Sequence, residues 1–481
     1  MLFNSFEFLI FLPITFLLYW FVFKSRYTQN TFIVVASYTF YGWWDWRFLL
    51  LIAATTLCSY FSGILLERQK EKRNIQKIIS ASNITLNLAI LCIFKYYNFF
   101  KENLRELFLF FGWEVDWITL DILLPIGISF YTFQALSYTI DVYQHKIKAT
   151  HDIIAFFAFI SFFPQLVAGP IERATQLLPQ FLKNRSFDAT KATDGMRQIL
   201  WGLFKKIVIA DNCALIVNAI FNSYPEKDGF QLLMGAIFFT FQIYGDFSGY
   251  SDIAIGTSRL FGINLMRNFN NPYFSRNIAE FWRRWHISLT TWFRDYIYIP
   301  LGGSRVGRWK VLRNTSIIFL ISGFWHGANW TFICWGAFHA LLFFPLSLLN
   351  QNKKYKDTVA LGKWLPNLKE IYQMLCTFLL VVIGWIIFRA ESIPQAWNYI
   401  YCMATKFTLS FNMPIYGNKA SAFILLMLSV EWMTRQRNHG LDIRPISIFR
   451  YRIVRWIIYY GIALIILQWG GKQEDFIYFQ F

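Results

Sequence analysis

The run Asn314–Asn352, NTSIIFLISGFWHGANWTFICWGAFHALLFFPLSLLNQN, contains no Asp, Glu, Lys or Arg. A helix needs about 20 apolar residues to cross the hydrocarbon of a bilayer, so this stretch has room for two short spans, or for one span and a re-entrant piece. Uncharged runs return at Ile371–Phe388 and Trp456–Gly471. Other apolar runs lie at Leu2–Phe23, Phe48–Leu66, Ile78–Phe94, Ile153–Ala168, Ile207–Phe221 and Leu232–Tyr244. Several are short or interrupted by Gly or Pro, which a bilayer tolerates only where neighbouring helices re-satisfy the backbone. The expected fold is an all-α integral membrane protein with about ten to twelve transmembrane helices, supplemented by re-entrant and interfacial helices.

Composition supports that reading. Only 15% of the 481 residues are charged, against about 25% in soluble globular proteins, so a water-soluble body is excluded. Aromatic residues form a fifth of the chain and include 20 Trp, rings suited to the boundary between headgroups and acyl chains. Apolar runs recur from Met1 to Phe481 without a Ser/Gly- or Pro-rich linker or an internal repeat. A single polytopic domain, residues 1–481, is therefore expected. The first residues carry Glu7 and no Lys or Arg, and no small-x-small site follows; the N-terminus should persist as a spanning helix rather than be cleaved. The six cysteines are scattered without a CxxC pair, so they read as free thiols, with no zinc site and no disulfide framework.

The net charge of +18 is gathered into loops. Gln69–Lys77 holds Lys70, Lys72, Arg73 and Lys77 directly after Arg68, which places that loop in the cytoplasm by the positive-inside rule. Lys24 and Arg26 then also lie inside, the helices between turn outside at Gly42–Arg47, and the N-terminus is outside. A second basic segment runs from Arg259 to Arg313. Ten bases (Arg259, Arg267, Arg276, Arg283, Arg284, Arg294, Arg305, Arg308, Lys310, Arg313) face only Glu280 and Asp295 there. Inside it, Trp282, Trp285, Leu289, Trp292 and Tyr296 recur at three- and four-residue steps. That period predicts one helix over Phe281–Ile297, aromatic on one side and cationic on the other, lying in the interface plane. His286 falls at the flank of its aromatic stripe, and Pro300-Leu-Gly-Gly303 ends it.

Two histidines are candidates for chemistry. His326 sits in Ser322-Gly-Phe-Trp-His-Gly-Ala-Asn329, within the uncharged run. An ionisable side chain there is a functional hypothesis by default, and imidazole is suited to taking a proton from a hydroxyl. Its bland alternative is a neutral ring bonded to a backbone carbonyl. Gly323 and Gly327 allow close backbone approach or a break. His286 has the blander alternative of a polar residue on an interfacial helix. His339 follows His326 by 13 residues; on an unbroken helix it would be turned about 220° and carried about 20 Å away, so a shared site is not expected. Asp246 and Asp252, in Tyr244-Gly-Asp-Phe-Ser-Gly-Tyr-Ser-Asp252, could orient a histidine, contact a substrate hydroxyl, or pair with neighbouring arginines. The arginines themselves suit either phosphates, which guanidinium binds bidentately, or anionic headgroups.

Several of these stretches carry a resemblance. Asn268-Phe-Asn-Asn-Pro-Tyr-Phe274, Phe281-Trp-Arg-Arg-Trp-His-Ile-Ser-Leu289 and Gly323-Phe-Trp-His-Gly327 resemble the membrane-bound O-acyltransferase family. Met1-Leu-Phe-Asn-Ser-Phe-Glu-Phe8 and Leu166-Val-Ala-Gly-Pro-Ile-Glu172 are similar to its bacterial branch of alginate and peptidoglycan O-acetyltransferase membrane subunits. The likeness is strongest over residues 1–350. It implies helices arranged around a central tunnel with a cytoplasmic funnel, in the bacterial inner membrane. It also implies a catalytic His326 and a second catalytic position at His286; substrate contacts are expected of Arg283, Arg284, Trp285, Trp325, Asn329, Asp246 and Asp252. His339 resembles a histidine common in the branch, with no role assigned. The implied donor is acetyl-CoA or an acyl-carrier thioester, with no resident cofactor or metal. The implied partners are the bilayer and a periplasmic SGNH-type protein that places the acetyl group on a polysaccharide, with no nucleic acid. D-alanyl transfer from a carrier protein and transport of an acylated substrate are the alternatives, the latter consistent with intramembrane histidines and broken helices.

Overall fold

A computed structural model describes the chain except residues 114–124, 126, 168, 409–416, 444–448, 450, 472, 475 and 478–481. Ala168, within one of the motifs above, lies outside the described residues, as does Phe481. Among the described residues every regular element is helical, as the composition required. The chain divides into two compact units, residues 1–192 with 257–266, and residues 193–256 with 267–481.

In the first unit the helices Arg47–Arg68, Arg73–Phe110 and Ile128–Tyr143 pack on one another. Gly63 makes the approach possible, because a Cβ there would lie 2.5 Å from the Tyr138 hydroxyl. Buried amides tie the three together: Asn83 donates to Ser59 Oγ at 3.4 Å and accepts from Thr139 at 2.8 Å. With no hydrophobic drive between helices in lipid, small residues and such polar links are what hold them. The N-terminal helix Phe6–Leu17 starts on a Ser5 cap and continues as a π-helical turn, Leu18–Val22. Its Tyr19 and Trp20 then donate to the carbonyls of Phe261 and Leu260. Buried Glu172, at the end of the motif beginning at Leu166, accepts the Met266 amide.

In the second unit the uncharged run resolves into two helices, Arg308–His326 and Trp330–Leu348, folded back antiparallel. Glycine sets their distance. A Cβ at Gly323 would meet the Phe332 carbonyl oxygen at 2.2 Å, and one at Gly336 would meet that of Phe319 at 2.3 Å. Helices Ile278–Arg284 and Leu368–Arg389 pack against Trp330–Leu348.

Among the described residues five helices are long and apolar enough to cross a membrane: Arg47–Arg68, Arg73–Phe110, Trp330–Leu348, Leu368–Arg389 and Arg452–Trp469. Phe6–Val22 is a shorter apolar one. Some of the other apolar runs are divided by the backbone, while Leu232–Tyr244 lies within the unbroken helix Gly229–Leu260. Ile153–Ala168 holds helices Ile153–Ser161 and Phe163–Leu166, parted at Phe162 (φ −51°, ψ 107°) beside Pro164. Ile207–Phe221 begins inside a π-helical segment, Phe204–Ala210.

The single interfacial helix over Phe281–Ile297 is also corrected. The structure has Ile278–Arg284, then Ile287–Phe293, then a π-helical turn Arg294–Tyr298. The break falls at His286, whose backbone is left-handed (φ 44°, ψ 55°). Residues 268–270 run alongside and capture the interrupted backbone: Ile287 N–H donates to Asn268 O and Asn270 N–H to Arg284 O, both at 2.9 Å. The aromatic stripe is buried as its period implied, yet Arg284 is buried with it, so these helices belong to the interior of the unit.

Candidate active site

Two interruptions of helix bring the histidines together. His326 is the last residue of Arg308–His326, followed by extended Gly327. His286 caps the start of Ile287–Phe293. The Trp325 indole lies 5.9 Å from the His286 ring and 5.0 Å from the His326 ring, centroid to centroid. His286 and His326, forty positions apart, therefore share one aromatic wall. Both are buried, 1% and 4% exposed. Trp335 and Phe388 meet His326 edge to face at 5.2 and 5.3 Å, and Phe247 meets His286 at 4.6 Å. Such edge contacts fix ring orientation while leaving nitrogen lone pairs in the plane.

His339 departs from its expected isolation. Its ring lies 5.1 Å from that of Trp335, the same indole that touches His326. The expectation assumed an unbroken helix, but the backbone turns at Gly327–Asn329 and the second helix returns along the first. Trp282 Nε1 donates to His339 Nδ1 at 3.4 Å. Gly384 leaves room for the far side of the ring, where a Cβ would lie 2.8 Å from Nε2.

The other candidates have bonds of a structural kind. Asn329 Oδ1 accepts the Thr331 amide and so caps Trp330–Leu348, while its Nδ2 donates to Glu391 O. Arg283 donates to the carbonyls of Asn352 and Tyr355, each at 2.6 Å. Arg284 reaches Glu280 at 2.8 Å and the Asn270 carbonyl. Trp285 stacks on Phe281 and packs against Phe269 and Trp385 within a buried aromatic cluster. Asp252 pairs with Lys205 at 2.6 Å and accepts from Gln198. Asp246 pairs with Lys206 at 2.9 Å and accepts the Ile477 amide. The partners of the two aspartates are thus lysines, where the sequence suggested arginines. A pair of lysines inside the apolar stretch Leu203–Ala210 was the signal for buried counter-charges. Phe247, Trp335 and Phe388 gave no such signal, since an aromatic in a membrane helix is ordinarily packing.

A polar cavity of about 20 Å³ lies between Lys205, Tyr244, Asp252, Arg267, Asn268 and Glu431, room for about one water and far too little for an acyl donor. Among the described residues no three His, Cys, Asp or Glu side chains form a metal-binding group.

A helical membrane protein with two buried histidines at one aromatic wall belongs to a definable class. The membrane-bound O-acyltransferase family profile matches residues 40–376; the chain belongs to that family and is an acyltransferase of the membrane. It is 41% identical over 404 residues to the probable alginate O-acetylase of Pseudomonas aeruginosa, covering 84% of this chain and 75% of that one. It is 35% identical over 417 residues to the peptidoglycan O-acetyltransferase of Helicobacter pylori, covering 80% and 76%. With the teichoic acid D-alanyltransferase of Bacillus subtilis it shares 31% over 285 residues, 55% of this chain and 69% of that one.

Proposed function

We propose that the protein moves an acetyl group from a cytoplasmic thioester, acetyl-CoA or an acyl carrier, toward hydroxyls of a cell-surface polysaccharide, working in the bacterial inner membrane. The observation that supports this most is the convergence of His286 and His326 on Trp325, in a relative of two polysaccharide O-acetyltransferases. His326 accepts the proton of the acceptor hydroxyl as its oxygen attacks the thioester carbonyl. The C–S bond breaks, the C–O ester bond forms, and the proton passes on to the departing thiolate. His286 orients donor or acceptor by a hydrogen bond. The first acceptor at the outer face is the serine of an SGNH-type partner, which then esterifies the polymer.

Inverted membrane vesicles carrying the protein and given [14C]acetyl-CoA provide the test. Label should enter vesicle-bound protein or polymer, and His326→Ala should cut that rate by about 10²–10⁴-fold, the usual worth of a general base, with the protein still present in the membrane. Undiminished labelling by that variant removes His326 from the mechanism. Wild-type vesicles that ignore acetyl-CoA but accept D-alanyl carrier protein would turn the assignment to D-alanyl transfer.

A further inference from the structure

His286 is one of few non-glycine residues with positive φ among the described residues, and its backbone geometry is costly for a residue with a side chain. A strained backbone persists only where its surroundings over-determine it, so the group that imposes the geometry is a part of the site. Ile287 and Ser288, which follow His286 directly, are held from one place. Asn268 O accepts the Ile287 amide at 2.9 Å. Asn268 Oδ1 accepts both the Ser288 amide, at 3.3 Å, and the Ser288 hydroxyl, at 2.9 Å. Asn268 Nδ2 in turn donates to Ser251 Oγ at 3.1 Å, on helix Gly229–Leu260. The side chain is fully buried, and each of its polar atoms is used.

We infer that Asn268 is a positioning residue: it clamps the turn that carries His286 and thereby sets where the imidazole stands beside Trp325. The clamp acts on the C-terminal side of the strained residue, through the main chain at 287 and through backbone and side chain at 288. Helix Ile287–Phe293 is only seven residues long and has no other side-chain cap at its start, so its first turn depends on Asn268 for direction. The Ser251 link ties the clamp to a long helix, which gives the short one a fixed reference. The inference rests on the proposed role of His286.

The test compares variants in the vesicle assay with [14C]acetyl-CoA, reading kcat and KM separately. Asn268→Ala should lower kcat by about 10–100-fold with KM for acetyl-CoA within about threefold, as for a displaced group whose hydrogen bond orients the reactants in the transition state. Its loss should not exceed that of His286→Ala. Asn268→Asp keeps both acceptor contacts to Ser288, and Ser251 can rotate to donate, so it should recover at least about a third of wild-type kcat. Should Asn268→Ala fail to accumulate, Ser288→Ala removes one bond of the clamp alone and should lower kcat by about 3–10-fold at unchanged KM. Wild-type kcat in both alanine variants, a change confined to KM, or an aspartate as inactive as alanine overturns the inference. Full activity in His286→Ala would instead overturn the role assigned to that histidine.

Discussion

At the scale of single residues, Trp325 carries the consequence of the shared wall. It touches both histidines, so on the proposed mechanism its removal loosens two groups at once. Trp325→Ala should lower acetyl transfer by about 10²-fold, the cost of roughly 1 Å misplacement at a reacting centre. Trp325→Phe keeps an aromatic wall and should retain a larger share. Equal activity in all three proteins, measured as initial labelling rate per mole of enzyme, would mean that the wall orients nothing. His326 stood out in the sequence as an imidazole inside an uncharged run, and the family motif around it outweighed the blander reading of a neutral ring bonded to a backbone carbonyl. His286 was legible only through its motif, since its own neighbourhood read as an ordinary interfacial helix. Asn268 entered only as the first residue of a family motif, with no role of its own: its meaning depends on a left-handed backbone eighteen residues further on, which no local period reveals.

At the scale of elements, the Gly323–Gly336 crossing decides the site, because it brings Trp335 back beside His326. Gly336→Ala places a methyl group 2.3 Å from the Phe319 carbonyl oxygen, and neither backbone can yield without parting the hairpin. The expected cost is about 1–3 kcal/mol, the range for overpacked interiors. It should appear as a lower unfolding temperature in detergent together with reduced transfer. Gly461→Ala is the control. It lies mid-helix in Arg452–Trp469, and its Cβ meets nothing within 4 Å, so it should be neutral or gain about 0.5–1 kcal/mol from helix propensity. If the two variants unfold alike, the close crossing is not what sets stability. Missing charges located these runs, but the sequence misjudged where helices stop. The 13-residue interval from His326 to His339 was projected along a helix that ends at Gly327, and the aromatic period over Phe281–Ile297 ran through a break at His286. Period reports which face is apolar, and it is blind to a single residue that turns the axis.

At the scale of the whole molecule, charge decides what composition leaves open. The net charge of +18 counts buried bases such as Lys205, Lys206 and Arg284 as well as exposed ones, and the position of the exposed ones along the chain sets orientation. Helices Arg47–Arg68 and Arg73–Phe110 both qualify as spans and are joined by four residues. Arg68, Lys70, Lys72 and Arg73 crowd this turn and are exposed, against Glu67 and Glu71, which count for little in orientation. Moving each positive charge outward against a membrane potential costs about 2.3 kcal/mol per 100 mV, so an outward placement of all four is strongly opposed. Green fluorescent protein fused after Glu71 should therefore fluoresce, and alkaline phosphatase fused at the same point should be inactive. The reverse pair of results would put the turn outside. The donor would then enter from the face now assigned to the acceptor, since both assignments share this one reference.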